Sequence, residues 1–326
     1  MATKQIAVDK QQLMEFYRQM ALIRRFEDMC AEKYAEGKIG GFLHLYVGEE
    51  AVAVGAFSAL EPRDLIMTHY RDHGHAIARG LDIKKLMAEL LGKSTGTSKG
   101  KGGSMHLFDA SKGFLGGYAI VAAMLPMAVG LAMGSKFKKD GVVTVCIFGD
   151  GALQEGEYHE AMTLASLWNL PILFLLENNG YGMGVSLENS FPIKELYKTA
   201  APYNVEASQV DGMDVEAMRQ GMVKAVEYVR SGKGPYLLEA LCYRFKGHSM
   251  ADPMSYRTRA EEEFWKKKDP IGSFKRRLIA ANIAKEEDLQ KIDAAVEKDV
   301  LDAAKFAEES PVPDIKEIYS DIYVEK

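Results

Sequence analysis

Hydrophobic positions follow two patterns along the chain, one typical of helices and one typical of buried strands. Over residues 9–36, apolar side chains recur at helical spacing, which predicts an amphipathic helix that ends near Gly37. Residues 142–148, 172–177 and 236–243 are instead nearly continuous apolar runs, which favour strands covered on both faces of a sheet. Further helices are predicted from Glu49 onward, over residues 81–91, over residues 157–168 and over about residues 214–230.

The order of these elements predicts the fold class. Repeated strand–helix–strand units indicate an α/β fold with a doubly wound, mostly parallel sheet flanked by helices, and with helical N- and C-terminal extensions. We expect residues 1–270 to form the α/β domain. We expect residues 271–326 to form a C-terminal helical extension that packs on the same domain or on a partner. A charged helical tail begins near residue 260, and proline residues interrupt it at residues 310–313.

Composition and charge narrow the class of protein. The 326 residues are 47% hydrophobic, enough for a sizeable core, and their net charge of −5 lacks the basic footprint of a nucleic-acid-binding protein. No apolar run approaches the ~20 residues needed to cross a bilayer. The first residues resemble neither a signal peptide nor a transit peptide. Because Cys30, Cys146 and Cys242 also form no CxxC pair, we expect a cytoplasmic location.

Two familiar kinds of site are incomplete in this sequence. The string GKS at residues 92–94 lacks the upstream glycine of a phosphate-binding P-loop, because Met87 occupies that position. His69, His73 and His75 could together hold a metal ion. However, no cysteine or carboxylate lies near them at the spacing of a zinc site.

The segment FGDGALQEGE, residues 148–157, follows a predicted buried strand and opens a helix. Ligands of doubly wound sheets bind beyond the carboxyl ends of the strands. Gly149 and Gly151 let the backbone come close to a bulky anion, whose phosphates would face the amides of the helix N-terminus. A carboxylate at Asp150 is unfavourable beside phosphates unless a cation lies between them. Mg²⁺ fits this position because it binds carboxylate and phosphate oxygens together.

The next predicted strand also ends in oxygen ligands. Residues 177–181 read ENNGY and follow that strand directly. Because the tips of adjacent parallel strands lie ~4.8 Å apart, Asn179 could offer its amide oxygen to the same ion, and Tyr181 its backbone carbonyl. Either segment alone is typical of an ordinary turn. Together, at the ends of consecutive buried strands, they favour a shared cation site.

These segments resemble those of a known family. A GDG followed after 26 residues by NN is similar to the thiamine diphosphate–Mg²⁺ motif. The likeness extends from about residue 10 to residue 270, and it is to the alpha subunits of the pyruvate dehydrogenase component of 2-oxo acid dehydrogenase complexes. It is carried by the segments GFLHLYVGEEA (41–51), HYRDHG (69–74), KGKGGSMH (99–106), ENNGYGMG (177–184) and YRFKGHSMADPMSYRTR (243–259).

The resemblance implies a thiamine diphosphate-binding fold and a role for each matching residue. Asp150, Asn179 and the Tyr181 carbonyl would bind Mg²⁺, and Gly151 and Ala152 would donate backbone amides to the diphosphate. The pair Tyr70–Arg71 would also contact the diphosphate, since the planar guanidinium matches phosphate oxygens.

Further matching residues would shape and cover the cofactor. Ala119 and Val121 would hold it in a bent form, in which it generates its own carbanion by proximity. The sequence departs from the family here, because GGYAIV replaces the usual GGNGIV. Arg244 and His248 match residues of a mobile loop over the site, and His248 could assist acetyl transfer. His44 matches a histidine near the reacting carbons and is a candidate proton donor.

The resemblance also implies regulation, partners and reaction. Ser249 and Ser255 match serines that are phosphorylated in mitochondrial relatives, although we do not expect that regulation here. The implied enzyme is a pyruvate dehydrogenase (acetyl-transferring), which decarboxylates pyruvate and acetylates a lipoyl group on a dihydrolipoamide acetyltransferase. A beta subunit would complete a heterotetramer of two alpha and two beta chains, and supply a glutamate for the cofactor's aminopyrimidine ring. Acetoin or branched-chain 2-oxo acids are alternative substrates, and a non-catalytic nucleotide-binding or structural subunit is a further alternative.

Overall fold

Six parallel strands form the central sheet of the computed structural model, which describes residues 8–323. Their order across the sheet is β2-β1-β3-β4-β8-β7, and every neighbouring pair is parallel. A short hairpin of β5 and β6 stands apart from this sheet. The strands are β1 (Leu65–His69), β2 (Phe114–Tyr118), β3 (Thr144–Gly149), β4 (Ile172–Asn178), β5 (Tyr181–Gly182), β6 (Val185–Ser186), β7 (Glu206–Asp211) and β8 (Tyr236–Leu241).

Helices cover both faces of the sheet, which confirms the predicted α/β class. Helices at four of the predicted places are present with slightly different ends, and the helix expected from Glu49 begins one residue later. The helices are α1 (Lys10–Ala35), α2 (Glu50–Phe57), α3 (His73–Ala78), α4 (Ile83–Leu90), α5 (Met124–Lys138), α6 (Gly156–Leu167), α7 (Leu187–Ser190), α8 (Val215–Arg230), α9 (Arg259–Lys266), α10 (Pro270–Ala280) and α11 (Glu286–Glu309).

The central strands are apolar throughout because each face of the sheet meets its own core. In β3, Val145 and Ile147 face the core shared with α1, α2, α8 and α11, whereas Cys146 and Phe148 face the core shared with α5 and α6. Alternate side chains of a strand point to opposite faces of the sheet. When both faces are covered, both sets of side chains are buried and therefore apolar.

Three strands of the central sheet, the two short hairpin strands and one long helix were not predicted from the hydrophobic pattern. Strands β2 and β7 lie at the two edges of the sheet, where β2 reads FLGGY and β7 reads EASQVD. Edge strands are covered less completely, so they need no continuous apolar run. Strand β1 is only five residues long, and α5 contains Pro126, Gly130 and Gly134, which obscure its helical pattern.

The C-terminal helices pack on the helices that open the chain. Buried side chains of α11, among them Leu289, Val296 and Val300, belong to the same core as α1. Arg25 of α1 pairs with Glu297 of α11 at 2.5 Å. Helices α10 and α11 therefore contribute to the core that α1 shares with the sheet. Within residues 8–323, no helix combines the length and the apolar character that crossing a membrane requires.

Candidate cofactor and metal site

The tips of β3 and β4 meet at the carboxyl edge of the sheet. Gly149 of β3 lies in register with Glu177 of β4, so the segments that follow each strand start side by side. The β5–β6 hairpin then folds back over the tip of β3. A Cβ atom built on Gly182 would lie 3.7 Å from the Gly151 Cα and 4.0 Å from Asp150 Oδ2. The structure thus brings Asp150, Asn179 and Tyr181 to one place, as the sequence predicts.

Three oxygen atoms of these residues have weak hydrogen-bond partners or none among the described residues. Asp150 is almost completely buried, and no described residue hydrogen-bonds its Oδ2 atom. Burial raises the pKa of Asp150 to about 6. The Asn179 Oδ1 atom accepts only a long bond of 3.4 Å from the Tyr181 amide, and the Tyr181 carbonyl accepts one of 3.4 Å from Arg244. A buried carboxylate oxygen without a partner, beside two neutral oxygens, suits an oxygen-preferring cation such as Mg²⁺.

A cavity of about 280 Å³ opens beside these oxygens. Most of the residues that the resemblance singles out line this cavity, although they come from five separate parts of the chain. Those lining residues are Tyr70, Arg71, Val121, Asp150, Gly151, Ala152, Asn179, Tyr181, Arg244 and His248.

Two of the singled-out residues lie outside the cavity lining as residues 8–323 form it. Ala119 is half-buried at the end of β2, and Val121 and Ala122 form that part of the wall instead. Ala122 is fully buried with φ of +68°, a left-handed conformation that is costly for a residue with a Cβ atom. His44 lies behind the wall, with its ring 4.6 Å from that of Tyr70 and 5.0 Å from that of His248.

Two buried guanidinium groups make the cavity suitable for an anion. Arg71 donates to the carbonyls of Leu45 and His248 at 2.7 and 2.9 Å. Arg244 donates to the Met183 carbonyl at 2.9 Å. Burial and the nearby Arg244 lower the pKa of Arg71. Both side chains are held rigidly with little solvent around them, so a bound diphosphate would relieve their mutual repulsion.

The surroundings of both candidate catalytic histidines favour the neutral form of the imidazole. Burial and the charge of Arg71 lower the pKa of His44 to about 2 and that of His248 to about 4. Among the described residues, neither Nδ1 atom has a hydrogen-bond partner. Each Nδ1 atom is therefore available to hydrogen-bond a ligand that lies within reach.

The loop that carries His248 is folded over the cavity. Asp252 accepts bonds from the His248 amide and the Tyr256 hydroxyl, both at 2.6 Å. The Met250 amide donates to the Leu43 carbonyl at 3.0 Å, which ties the loop to the segment before α2. Ser249 is half-buried and Ser255 is exposed.

His69, His73 and His75, which were considered as a group of metal ligands, bond two different carboxylates. His69 and His75 bond the Glu177 carboxylate at 2.7 and 2.9 Å. His73 instead bonds Glu27 at 2.9 Å and the Ser104 hydroxyl at 2.9 Å. The three rings therefore do not share one site. His73 and His75 lie two residues apart on α3, so their side chains leave the helix in different directions.

Two buried glutamates at the site were missed by the sequence argument. Glu177 ends the apolar run of β4, and Glu49 immediately precedes α2. Glu49 Oε1 accepts a 3.0 Å bond from the Asn179 side-chain amide. Burial and the charge of Glu177 raise the pKa of Glu49 to about 7. The available signal was an ionisable residue inside an apolar segment, which requires a partner when it is buried.

Comparison with known proteins defines the family. The chain belongs to the dehydrogenase E1 component family, whose model matches residues 18–316. This family is thiamine diphosphate-dependent. Relatives named pyruvate dehydrogenase E1 component subunit alpha come from several bacteria. That of Zymomonas mobilis is 46% identical over 98% of this chain and 90% of its own length, and that of Rickettsia bellii is 42% identical over 97% of each chain. The Rhizobium meliloti protein of the same name is 44% identical over 96% of this chain and 90% of its own length.

Proposed function

We propose that this chain is the alpha subunit of a thiamine diphosphate-dependent pyruvate dehydrogenase (acetyl-transferring). The enzyme decarboxylates pyruvate and transfers the remaining two-carbon unit to a lipoyl group. The observation that carries the proposal is the unpartnered Asp150 Oδ2 atom, set beside the Asn179 and Tyr181 oxygens in a cavity with two buried arginines. The names of the relatives favour pyruvate over acetoin or branched-chain 2-oxo acids.

The residues present fit a diphosphate held through Mg²⁺. Asp150, Asn179 and the Tyr181 carbonyl would hold the cation, since each keeps an oxygen lone pair free or weakly engaged. The backbone amides of Gly151 and Ala152 would bind the diphosphate, because they open the 3₁₀ turn Asp150–Gln154 at the tip of β3. Tyr70, Arg71 and Arg244 would complete its polar surroundings.

The remaining residues would orient the cofactor and manage protons. Thiamine diphosphate, when bound, supplies a carbon nucleophile and an electron sink for the loss of CO₂. Val121 and Ala119 would hold its bent form. The neutral His248 ring lines the cavity and would accept or donate a proton at Nδ1. His44, which packs against His248, would hold that ring in place and serve as a second proton carrier.

The subunit name of the relatives supports a beta subunit as a partner of this chain. A beta subunit would pair with this chain in a heterotetramer of two alpha and two beta chains, and a lipoyl-bearing dihydrolipoamide acetyltransferase would accept the acetyl group. We place the enzyme in the cytoplasm, which suits its three buried free cysteines.

Calorimetry on the assembled complex tests the cofactor site. We expect thiamine diphosphate to bind tightly only when Mg²⁺ is present, and we expect Asp150→Ala to weaken that binding at least 100-fold. Equal binding with and without Mg²⁺, or unchanged binding by D150A, would contradict the proposed site. A non-catalytic subunit predicts no such binding.

Kinetics tests the reaction and the substrate. We expect kcat/KM of the complex to be highest for pyruvate among pyruvate, 2-oxoisovalerate and acetoin. Because one methylene group is worth only ~1–3 kcal/mol in a hydrophobic pocket, the preference should be partial rather than absolute. The alpha chain assayed alone with pyruvate and an artificial electron acceptor should show no turnover, and robust turnover would rule out the need for a beta subunit.

A further inference from the structure

The side chain of Asn179 has a buried partner that the sequence resemblance does not mark. We propose that Glu49 is a positioning residue that orients the Asn179 amide so that its Oδ1 atom faces the bound cation. The inference rests on the proposed function, because it takes Asn179 as a cation ligand. It adds a residue that lies outside the lining of the cavity that the described residues form.

The turn before α2 directs Glu49 into the site. Gly48 has φ of +103°, and a Cβ atom there would lie 2.3 Å from the Tyr243 carbonyl, so this turn packs directly against the strand extension that carries Arg244. Glu50 points the other way and binds Arg24 at 2.5 Å. Glu49 is completely buried, and its side chain caps no amide of α2. Its carboxylate is therefore available to Asn179.

Hydrogen-bond chemistry fixes which way the Asn179 amide points. A carboxyl oxygen that carries no proton only accepts hydrogen bonds, whereas an asparagine side chain has one donating and one accepting end. Glu49 Oε1 lies 3.0 Å from Asn179 Nδ2, so the donating end must face Glu49. The accepting end then lies on the opposite side, where it receives only the 3.4 Å bond from the Tyr181 amide. Rotation of the amide by 180° would set two oxygens against each other.

The second carboxylate oxygen of Glu49 lies beside a buried guanidinium group of the candidate site. Glu49 Oε2 lies 3.8 Å from Arg71 Nε and has no hydrogen-bond partner in the described part of the chain. Glu49 therefore stands between one proposed cation ligand and one proposed diphosphate ligand. Partners behind the ligands commonly change metal affinity 10–100-fold when they are removed, because they fix ligand orientation.

The neighbouring asparagine provides a matched control. Asn178 Nδ2 donates to Glu239 Oε1 at 2.7 Å, and Asn178 Oδ1 accepts from the Gly180 amide at 3.2 Å. Glu239 is also fully buried, and its charge contributes to the raised pKa of Asp150. A change at Glu239 thus removes a negative charge near the cation without touching the Asn179 amide.

The test measures Mn²⁺ binding by electron paramagnetic resonance on the assembled complex with thiamine diphosphate. Glu49→Met and Glu49→Gln both remove the charge at nearly constant length, but only glutamine keeps an oxygen that can accept from Asn179 Nδ2. We expect E49M to weaken Mn²⁺ binding 10–100-fold, and E49Q, E239Q and E239M to stay within about threefold of the unchanged protein. If E49M does not assemble, Glu49→Ala replaces it with the same expectation.

The outcomes separate this inference from the proposed function. If the unchanged complex shows no cofactor-dependent Mn²⁺ binding, the proposed function fails. If it binds Mn²⁺ and E49M or E49A binds equally tightly, only the role of Glu49 is overturned. If E49Q is as weak as E49M, the charge of Glu49 matters rather than the orientation of the amide, and the inference is again overturned.

Discussion

Two carboxylates lie at neighbouring strand tips but have opposite surroundings. Glu177, at the end of β4, accepts bonds from His69, His75 and the Tyr46 hydroxyl. Asp150, just beyond β3, has an oxygen that no residue of the described chain satisfies. Both side chains are buried, so the difference lies in their partners.

Their pKa values differ accordingly. Burial alone would raise the pKa of Glu177, but His75 and His69 hold it below the ordinary value of a glutamate. Burial raises the pKa of Asp150 to about 6, and the nearby backbone amides and Arg244 only partly oppose this. A buried carboxylate with a complete set of donors supports the fold, whereas one without donors is prepared for a ligand from outside the chain. At this edge of the sheet, Glu177 therefore stabilises the fold, whereas Asp150 is available to bind a ligand.

The largest expected effect comes from removing Glu177, which accepts hydrogen bonds from His69, His75 and Tyr46. Glu177→Ala would leave two imidazoles and a hydroxyl buried without their acceptor, and we expect the free energy of unfolding to fall by about 3–5 kcal/mol. Urea denaturation of the cofactor-free complex, with the unchanged protein in parallel, measures this loss. A loss below about 1 kcal/mol would show that Glu177 is not the centre of the network.

We expect replacement of Asp150 to have the opposite effect and to stabilise the cofactor-free protein. Asp150→Asn removes a carboxylate whose ionised form the fold disfavours, so the cofactor-free protein should become more stable by about 1–3 kcal/mol at pH 7. The same variant should gain no stability from added Mg²⁺ and thiamine diphosphate, whereas the unchanged protein should. Destabilisation of the cofactor-free variant would mean that Asp150 already has a partner within the chain.

The advantage of D150N should also depend on pH. The folded-state pKa of Asp150 lies near 6, above its ordinary value of 3.8. The folded protein therefore binds more protons than the unfolded chain between these values. The cost of the ionised carboxylate is fully present above pH 6 and disappears as the pH falls towards 4. At pH 7, the free energy of unfolding of D150N should exceed that of the unchanged protein. At pH 4, the two free energies should be equal. An equal advantage at both values would exclude a raised pKa.

The sequence predicted the residues of the candidate cation site better than the residues that surround Glu177. Asp150, Asn179 and Tyr181 stand in short motifs directly after apolar strands, so strand pairing alone places them together. The donors to Glu177 come from β1, α3 and the segment before α2, and no local spacing links those three elements. β1 is too short to be predicted, which leaves His69 without a strand to place it. Glu49 was missed for the same reason, because its contact with Asn179 joins residues 130 positions apart.

The smallest expected effect comes from removing a single donor of the network. Tyr46→Phe deletes the hydroxyl that donates to Glu177, while the ring stays fixed because it packs tightly against Gly74. His69 and His75 still hold the carboxylate, so we expect a loss of about 1–2 kcal/mol in the free energy of unfolding, smaller than that of E177A. Mn²⁺ affinity should stay within about threefold, since Tyr46 lies outside the cavity lining. A Y46F variant as unstable as E177A would mean that the hydroxyl alone holds Glu177. A loss of Mn²⁺ binding would mean that the hydrogen bonds of Glu177 and the candidate cation site are coupled.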